Sequence, residues 1–111
     1  MKYEVELKSS HLILPPELAS EVLPDSHSVY VTYKENLEAI LVSPKENAWF
    51  PKLHQSMELL LKSKDLKGTK SIPIREILID HDIDDLDKKL TYSVNTEQKF
   101  IKINIANPSE A

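Results

Sequence analysis

At the start of the chain, apolar and charged residues alternate with the period of a β-strand. Residues 3–8 place an apolar side chain at every second position, as expected for a strand with one buried face. A polar turn at 9–11 separates this strand from a shorter apolar run at 12–14. We expect this second strand to end at Pro15, because proline supplies no backbone donor to a sheet ladder.

A short helix and a β-hairpin are predicted next. Pro16 suits the first turn of a helix, Leu18 and Val22 fall on one helical face, and the Pro-Asp pair at 24–25 ends the helix. Alternating residues on both sides of a polar turn then predict a hairpin over 29–42.

The longest helix is predicted between the two halves of the chain, over residues 45–61. Pro44 ends the preceding hairpin, and Pro51 is tolerable only in a first helical turn. The apolar residues that fall at helical spacing are Trp49, Leu53, Met57, Leu60 and Leu61. Trp49 is expected to lie in the core with its apolar neighbours.

The second half repeats the order of elements in the first. A short strand at 71–73 again ends in proline, and 76–78 predict a short helix. The segments 90–94 and 99–105 alternate on either side of a polar turn and predict a second hairpin.

We therefore predict a mainly β protein with short helices, of the α+β class, built from two related halves. At 111 residues the chain suits one domain and is too short for two independently stable ones. Its predicted parts are a first repeat at 1–44, the connecting helix at 45–61, a second repeat at 62–106 and a tail at 107–111.

Composition indicates an ordinary folded protein and is compatible with a reducing compartment. Hydrophobic residues make up 41% of the chain and charged residues 29%, and no apolar run approaches the ~20 residues that span a bilayer. The chain has no cysteine, which excludes disulfides and thiol chemistry. With no signal-peptide pattern at its start, we expect a cytoplasmic protein without a membrane partner.

Charge is unevenly distributed along the chain, although the net charge is only −4. Residues 45–75 carry seven basic side chains against three acidic ones, whereas 76–87 carry six acidic side chains and no Lys or Arg. Blocks of this kind are most often solvated faces or loops. The basic block is also where a polyanionic partner would bind.

A strand, a turn, a short strand ending in Leu-Pro or Ile-Pro, a short helix and a hairpin thus occur twice. This order resembles the swapped-hairpin unit of the AbrB/SpoVT superfamily, and the tandem pair resembles its MraZ family of bacterial regulators. The signature is Asp-x-x-Gly-Arg followed, after two residues, by Ile/Leu-Pro. The second copy keeps Asp65, Gly68, Ile72 and Pro73 of that signature. Thr69 stands where the family has arginine, and the first copy, at 7–15, keeps only Leu-Pro.

The resemblance implies a barrel in which the hairpins of the two halves interleave, with the connecting helix packed outside. It also implies a DNA-binding transcriptional regulator that forms a homo-oligomer. The expected DNA-binding residues, in the basic turn of the second repeat, are Lys62, Lys64, Lys67, Gly68, Thr69, Lys70 and Arg75. Without the arginine fork, these lysines favour phosphate contact over base readout. The alternative is a non-catalytic interaction or oligomerisation module that kept the fold and lost DNA binding.

Other chemistry finds little support in the sequence. The acidic run at 80–87 lacks the glycine and the twelfth-position Glu of an EF-hand, and it predicts a solvated turn or at most weak cation binding. The four histidines show no zinc spacing, and a single glycine cannot form a phosphate-binding loop. We therefore expect no enzyme activity, no cofactor, no metal and no small-molecule substrate.

Overall fold

The protein folds into two antiparallel sheets with short helices at their ends, as seen in a computed structural model. The structure describes residues 5–23, 27–63, 68–84 and 86–105. The strands form two five-stranded sheets, with the orders β6-β7-β2-β1-β8 and β5-β3-β4-β10-β9. The mainly β prediction with short helices is therefore confirmed.

The elements follow the predicted order in both halves. The first half contains β1 (Val5–Lys8), β2 (His11–Leu14), α1 (Pro16–Val22), β3 (Ser28–Lys34) and β4 (Ala39–Pro44). The connecting segment, residues 45–56, contains α2 (Phe50–Leu53). The second half contains β5 (Met57–Leu60), β6 (Lys62–Ser63), β7 (Lys70–Pro73), α3 (Arg75–Asp80), β8 (Lys88–Leu90), β9 (Tyr92–Asn95) and β10 (Phe100–Asn104).

Both sheets combine strands from the two halves. In the first sheet β2 pairs with β7 and β1 pairs with β8, while in the second β4 pairs with β10 and β3 pairs with β5. All four pairings are antiparallel and join distant parts of the sequence. The two halves therefore share one set of ladders and cannot form their sheets separately.

Two stretches of chain pass from one sheet into the other. Leu61 separates β5 from β6, and Thr91 separates β8 from β9. The backbone bonding continues at both breaks, because Leu61 N–H donates to His27 O at 2.9 Å and Asn104 N–H donates to Thr91 O at 2.9 Å. The strand predicted at 90–94 is thus divided between two sheets.

One apolar core lies between the sheets and is closed by the helices. Its members come from both sheets, from α1 and from α3, and include Val5, Leu12, Leu18, Val31, Ile40, Ile72, Ile77 and Ile101. The alternation in β1 is confirmed, since Val5 and Leu7 are buried and Glu6 and Lys8 are exposed. Burial of this core is the main source of stability.

The connecting helix predicted over 45–61 is wrong. Helix α2 spans only Phe50–Leu53, and His54 already has an extended backbone. From Met57 to Leu60 the chain forms a strand that pairs with the edge of β3. The helical spacing of the apolar residues misled the prediction, because pairing with a free strand edge outweighs a weak helix preference.

The connecting segment covers the outer face of the second sheet. The Phe50 side chain is 0% exposed. Its ring lies 6.4 Å from Tyr30 and 6.3 Å from Phe100, centroid to centroid, and 5.6 Å from Trp49. Trp49 is half-buried in this small aromatic cluster outside the sheet, so the prediction that it lies in the core is wrong.

Some predictions fall on residues outside the described ranges. These are the start of the first strand at 3–4, the end of the first helix at 24–25, the turn residues 64–67 and the tail at 107–111.

Candidate nucleic-acid interface

Four of the residues predicted to bind DNA, Lys62, Gly68, Thr69 and Lys70, lie at the β6–β7 edge of the first sheet. β6 is the outermost strand, and its register with β7 sets Lys62 opposite Ser71 and Ser63 opposite Lys70. Lys62 is exposed and Lys70 is half-buried. The Lys70 ammonium donates to Ser63 Oγ at 2.8 Å, which fixes its position while leaving its charge uncompensated by that partner. Lys62 and Lys70 therefore lie on adjacent strands at the same edge, with their side chains on opposite faces of the sheet.

Gly68 and Thr69 lead directly into β7 and complete what we call the second-turn edge: Lys62, Ser63, Gly68, Thr69 and Lys70. Gly68 has a φ of +101°, a conformation that L side chains rarely adopt. A Cβ atom there would lie 3.4 Å from Pro16 Cβ, so the glycine packs against the start of α1. The predicted contacts Lys64 and Lys67 lie outside the described residues.

Arg75 is not part of this edge. It is the first residue of α3, beyond the opposite end of β7 from Lys70. Ile74, the residue before it, donates its N–H to Ser10 O at 3.0 Å, which places the start of α3 beside the β1–β2 turn. The sequence grouped Lys70 and Arg75 because they are five positions apart, but a strand of that length separates its ends by more than ~10 Å.

The β1–β2 turn, Ser9–Ser10, occupies the corresponding place in the first half; we call it the first turn. Both residues have positive φ, of 51° and 63°, as in a two-residue hairpin turn. Its polar groups already have partners. Ser9 N–H donates to Asp87 Oδ1 at 3.0 Å, and Ser9 O lies 2.8 Å from His11 Nδ1.

The two edges of the first sheet differ in charge. The second-turn edge holds Lys62 and Lys70 with no acidic member. The other edge, formed by β1 and β8, mixes Lys8, Lys88 and Lys89 with two acidic residues: Glu6, which pairs with Lys89, and Asp87, which accepts from Ser9 N–H. In the described part of the chain, the two ion pairs are Lys45–Glu58 and His81–Glu35, and neither involves the second-turn edge.

Two open clefts lie elsewhere, each between a helix of one half and the hairpin of the other. One, of about 400 Å³, is lined by α1, the start of the connecting segment and the β9–β10 hairpin. Asn47 fixes its wall, because Asn47 Nδ2 lies 3.0 Å from Ser43 Oγ and 3.0 Å from each of the Gln98 and Lys99 carbonyl oxygens.

The other cleft, of about 530 Å³, lies between α3 and the end of β3. The Tyr33 ring there packs 4.6 Å from the His81 ring. Burial, followed by the charges of Glu38 and Glu35, raises the pKa of Tyr33. The phenol therefore stays protonated at neutral pH and is suited to hydrogen bonding rather than to proton abstraction.

The acidic run supplies turn acceptors. Asp84 Oδ1 accepts the N–H of Leu86 at 3.0 Å, and Asp87 accepts from the first turn. Within the described ranges, no three His, Asp or Glu side chains come together as a metal site requires. The Asp87 contact spans 78 positions, and no sequence motif marks it.

Comparison of the chain with protein-family models, with curated proteins and with solved structures gave no match. None of the helices in the described part of the chain is long and apolar enough to cross a membrane.

Proposed function

We propose that this protein is a DNA-binding protein of the AbrB/MraZ kind, which contacts the phosphate backbone through the second-turn edge. In this proposal it acts in the bacterial cytoplasm as a transcriptional regulator or nucleoid-associated protein. The carrying observation is that Lys62 on the outermost strand β6 and Lys70 on the adjacent strand β7 lie at one edge of the sheet, neither with a carboxylate in ion-pair contact among the described residues.

The family fold is part of the same proposal, as a closed barrel with interleaved hairpins. It is supported by the four strand pairings between the halves and by the two stretches of chain that pass between the sheets. The pairings run from β6 through β1 to β8 in the first sheet and from β9 through β3 to β5 in the second. Because β8 leads into β9 and β5 leads into β6, this path returns to β6.

Phosphate contact suits this edge better than base recognition. A lysine ammonium is a compact point charge, whereas reading a guanine edge needs the planar fork of arginine. Thr69 stands at the position where the family places that arginine. Binding is therefore expected to depend weakly on sequence and steeply on salt, because phosphate contacts release counterions.

The test is a titration of a labelled duplex at about 50 mM and about 200 mM salt, concentrations between which phosphate-driven binding weakens strongly. K62A/K70A should bind at least about tenfold more weakly at the lower salt, with a salt slope smaller by about two. K52A/K102A is the matched control, since it removes two charges from α2 and β10. It should bind like the wild type.

Equal losses in the two double variants would show that only total charge matters and would contradict the proposed surface. If the wild-type chain bound no duplex at low salt and about 100 μM protein, well above the range of non-specific affinities, DNA binding would be refuted. The interaction or oligomerisation module would then be the better hypothesis.

A further inference from the structure

We infer that Asp87 prevents DNA from binding the first turn. Of two equivalent turns, the protein then presents only the second to the phosphate backbone. The inference rests on the proposed function and deepens it, because it concerns which part of the same sheet binds. It starts from the hydrogen bond of 3.0 Å between Ser9 N–H and Asp87 Oδ1.

The two turns hold equivalent places in the fold. Each leads into one of the two central strands of the first sheet, β2 or β7, which pair with each other. Each also contacts the start of the other half's helix, through Ser10 and Ile74 in one case and through Gly68 and Pro16 in the other. Because His11 pairs with Pro73 and Leu14 pairs with Lys70, the two turns lie at opposite ends of this strand pair, and a duplex that contacted both would run along β2 and β7.

The first turn has the groups that a phosphate would use. Ser9 offers a backbone N–H at the tip of the turn, Lys8 is exposed beside it, and Arg75 is exposed at the adjacent start of α3. A backbone N–H together with nearby cations is a common way to hold a phosphate oxygen. In this protein the N–H is occupied by a carboxylate of the same chain, which also places a negative charge beside Lys8.

Asp87 thus acts at the first turn as an internal substitute for phosphate. Its charge repels an approaching backbone over roughly the Debye length, about 10 Å at 0.1 M salt. Removing it would free the donor and leave Lys8 and Arg75 to attract the second contact. The acidic run that the sequence places before β8 then has a role in orienting the protein on DNA.

Two substitutions separate charge from hydrogen bonding. D87N removes the charge and keeps an acceptor oxygen for Ser9 N–H, while D87A removes both. In the titration described above, D87N should tighten binding by about threefold and D87A by about fivefold, with the salt slope of D87A steeper by about one. R75A should change wild-type affinity little but remove most of the gain when combined with D87A.

The outcomes distinguish the two proposals. If the wild type binds DNA through Lys62 and Lys70 but neither Asp87 variant binds more tightly, Asp87 only supports the turn and the inference is overturned. If the wild type fails to bind while D87A binds, the inference stands and the proposed function of the second-turn edge is refuted. Melting temperatures of all variants check that each remains folded, and D87N provides the test if D87A does not fold.

Discussion

The first turn and the second-turn edge hold corresponding places in the two halves but differ in the chemistry of their residues. The first turn adopts positive φ at two serines and ties its polar groups to Asp87, His11 and Ile74. The second reaches positive φ at Gly68, and its edge carries Lys62 and Lys70, whose charges have no acidic partner in that edge. The two turns therefore differ in chemistry, because a carboxylate of the chain occupies the Ser9 N–H of the first turn, whereas the second-turn edge carries two lysines.

The two sheets also differ in what covers their outer faces. The connecting segment packs Phe50 and Trp49 on the outer face of the second sheet, whereas the outer face of the first sheet carries Glu6, Lys8, Lys62 and Lys89. One outer face is thus closed by rings and the other exposes charges.

The largest expected effect on stability comes from removing the Phe50 ring that covers the outer face of the second sheet. Phe50→Ala removes a fully buried ring and should lower the free energy of unfolding by about 3–5 kcal/mol. Leu53→Ala in the same helix is the control, because Leu53 is 69% exposed and should cost little. Urea denaturation of both variants measures the difference. Similar losses would mean that the segment does not pack as described.

A smaller effect is expected from exchanging the chemistry of the turns. Gly68→Ala should destabilise the protein by about 1–2 kcal/mol, because alanine is strained at a φ of +101°. Ser10→Gly should be neutral or stabilising by up to about 1 kcal/mol, because glycine relieves the strain at a φ of 63°. Thermal unfolding of the two variants tests this, and a loss of stability in Ser10→Gly as large as that in Gly68→Ala would contradict it.

The smallest effect concerns pH and the covered face. Burial, followed by the charge of Lys34, lowers the pKa of His54, whose ring lies 4.8 Å from that of Phe50. His54 Nδ1 is buried without a hydrogen-bond partner. Since the folded state disfavours the protonated ring, stability is fully present above the unfolded pKa, near 6.5, and decreases as pH falls through the folded pKa.

The check compares melting temperatures of the wild type and His54→Phe between about pH 7.5 and pH 5, a range that spans histidine titration. Acidic residues titrate in both proteins, so only the additional decrease in the wild type belongs to His54. An identical decrease in both would remove His54 from the pH dependence.

The local pattern of apolar and polar residues was sufficient to predict most of the strands and short helices. Alternation predicted β1 and the first hairpin, and the prolines at 15–16 and 73 marked where strands end and helices begin, because these signals act within a few residues. The prediction for the connecting segment failed because the deciding contact is distant in the sequence. The same apolar spacing fits a helix or a strand, and the free edge of β3 that selects the strand is some 30 residues away, as the pairing of Ser28 with Leu60 shows.

For the candidate site, the sequence determined which residue types are available and that the basic ones cluster before β7. Only the tertiary structure separated Arg75 from Lys70, brought Asp87 to Ser9 and left Lys62 on an outermost strand. Strand pairing between the halves fixes these neighbours, and pairing depends on contacts between residues far apart in the chain. Sequence spacing carries no information about such contacts, so the chemistry of the two turns could be compared only in the folded protein.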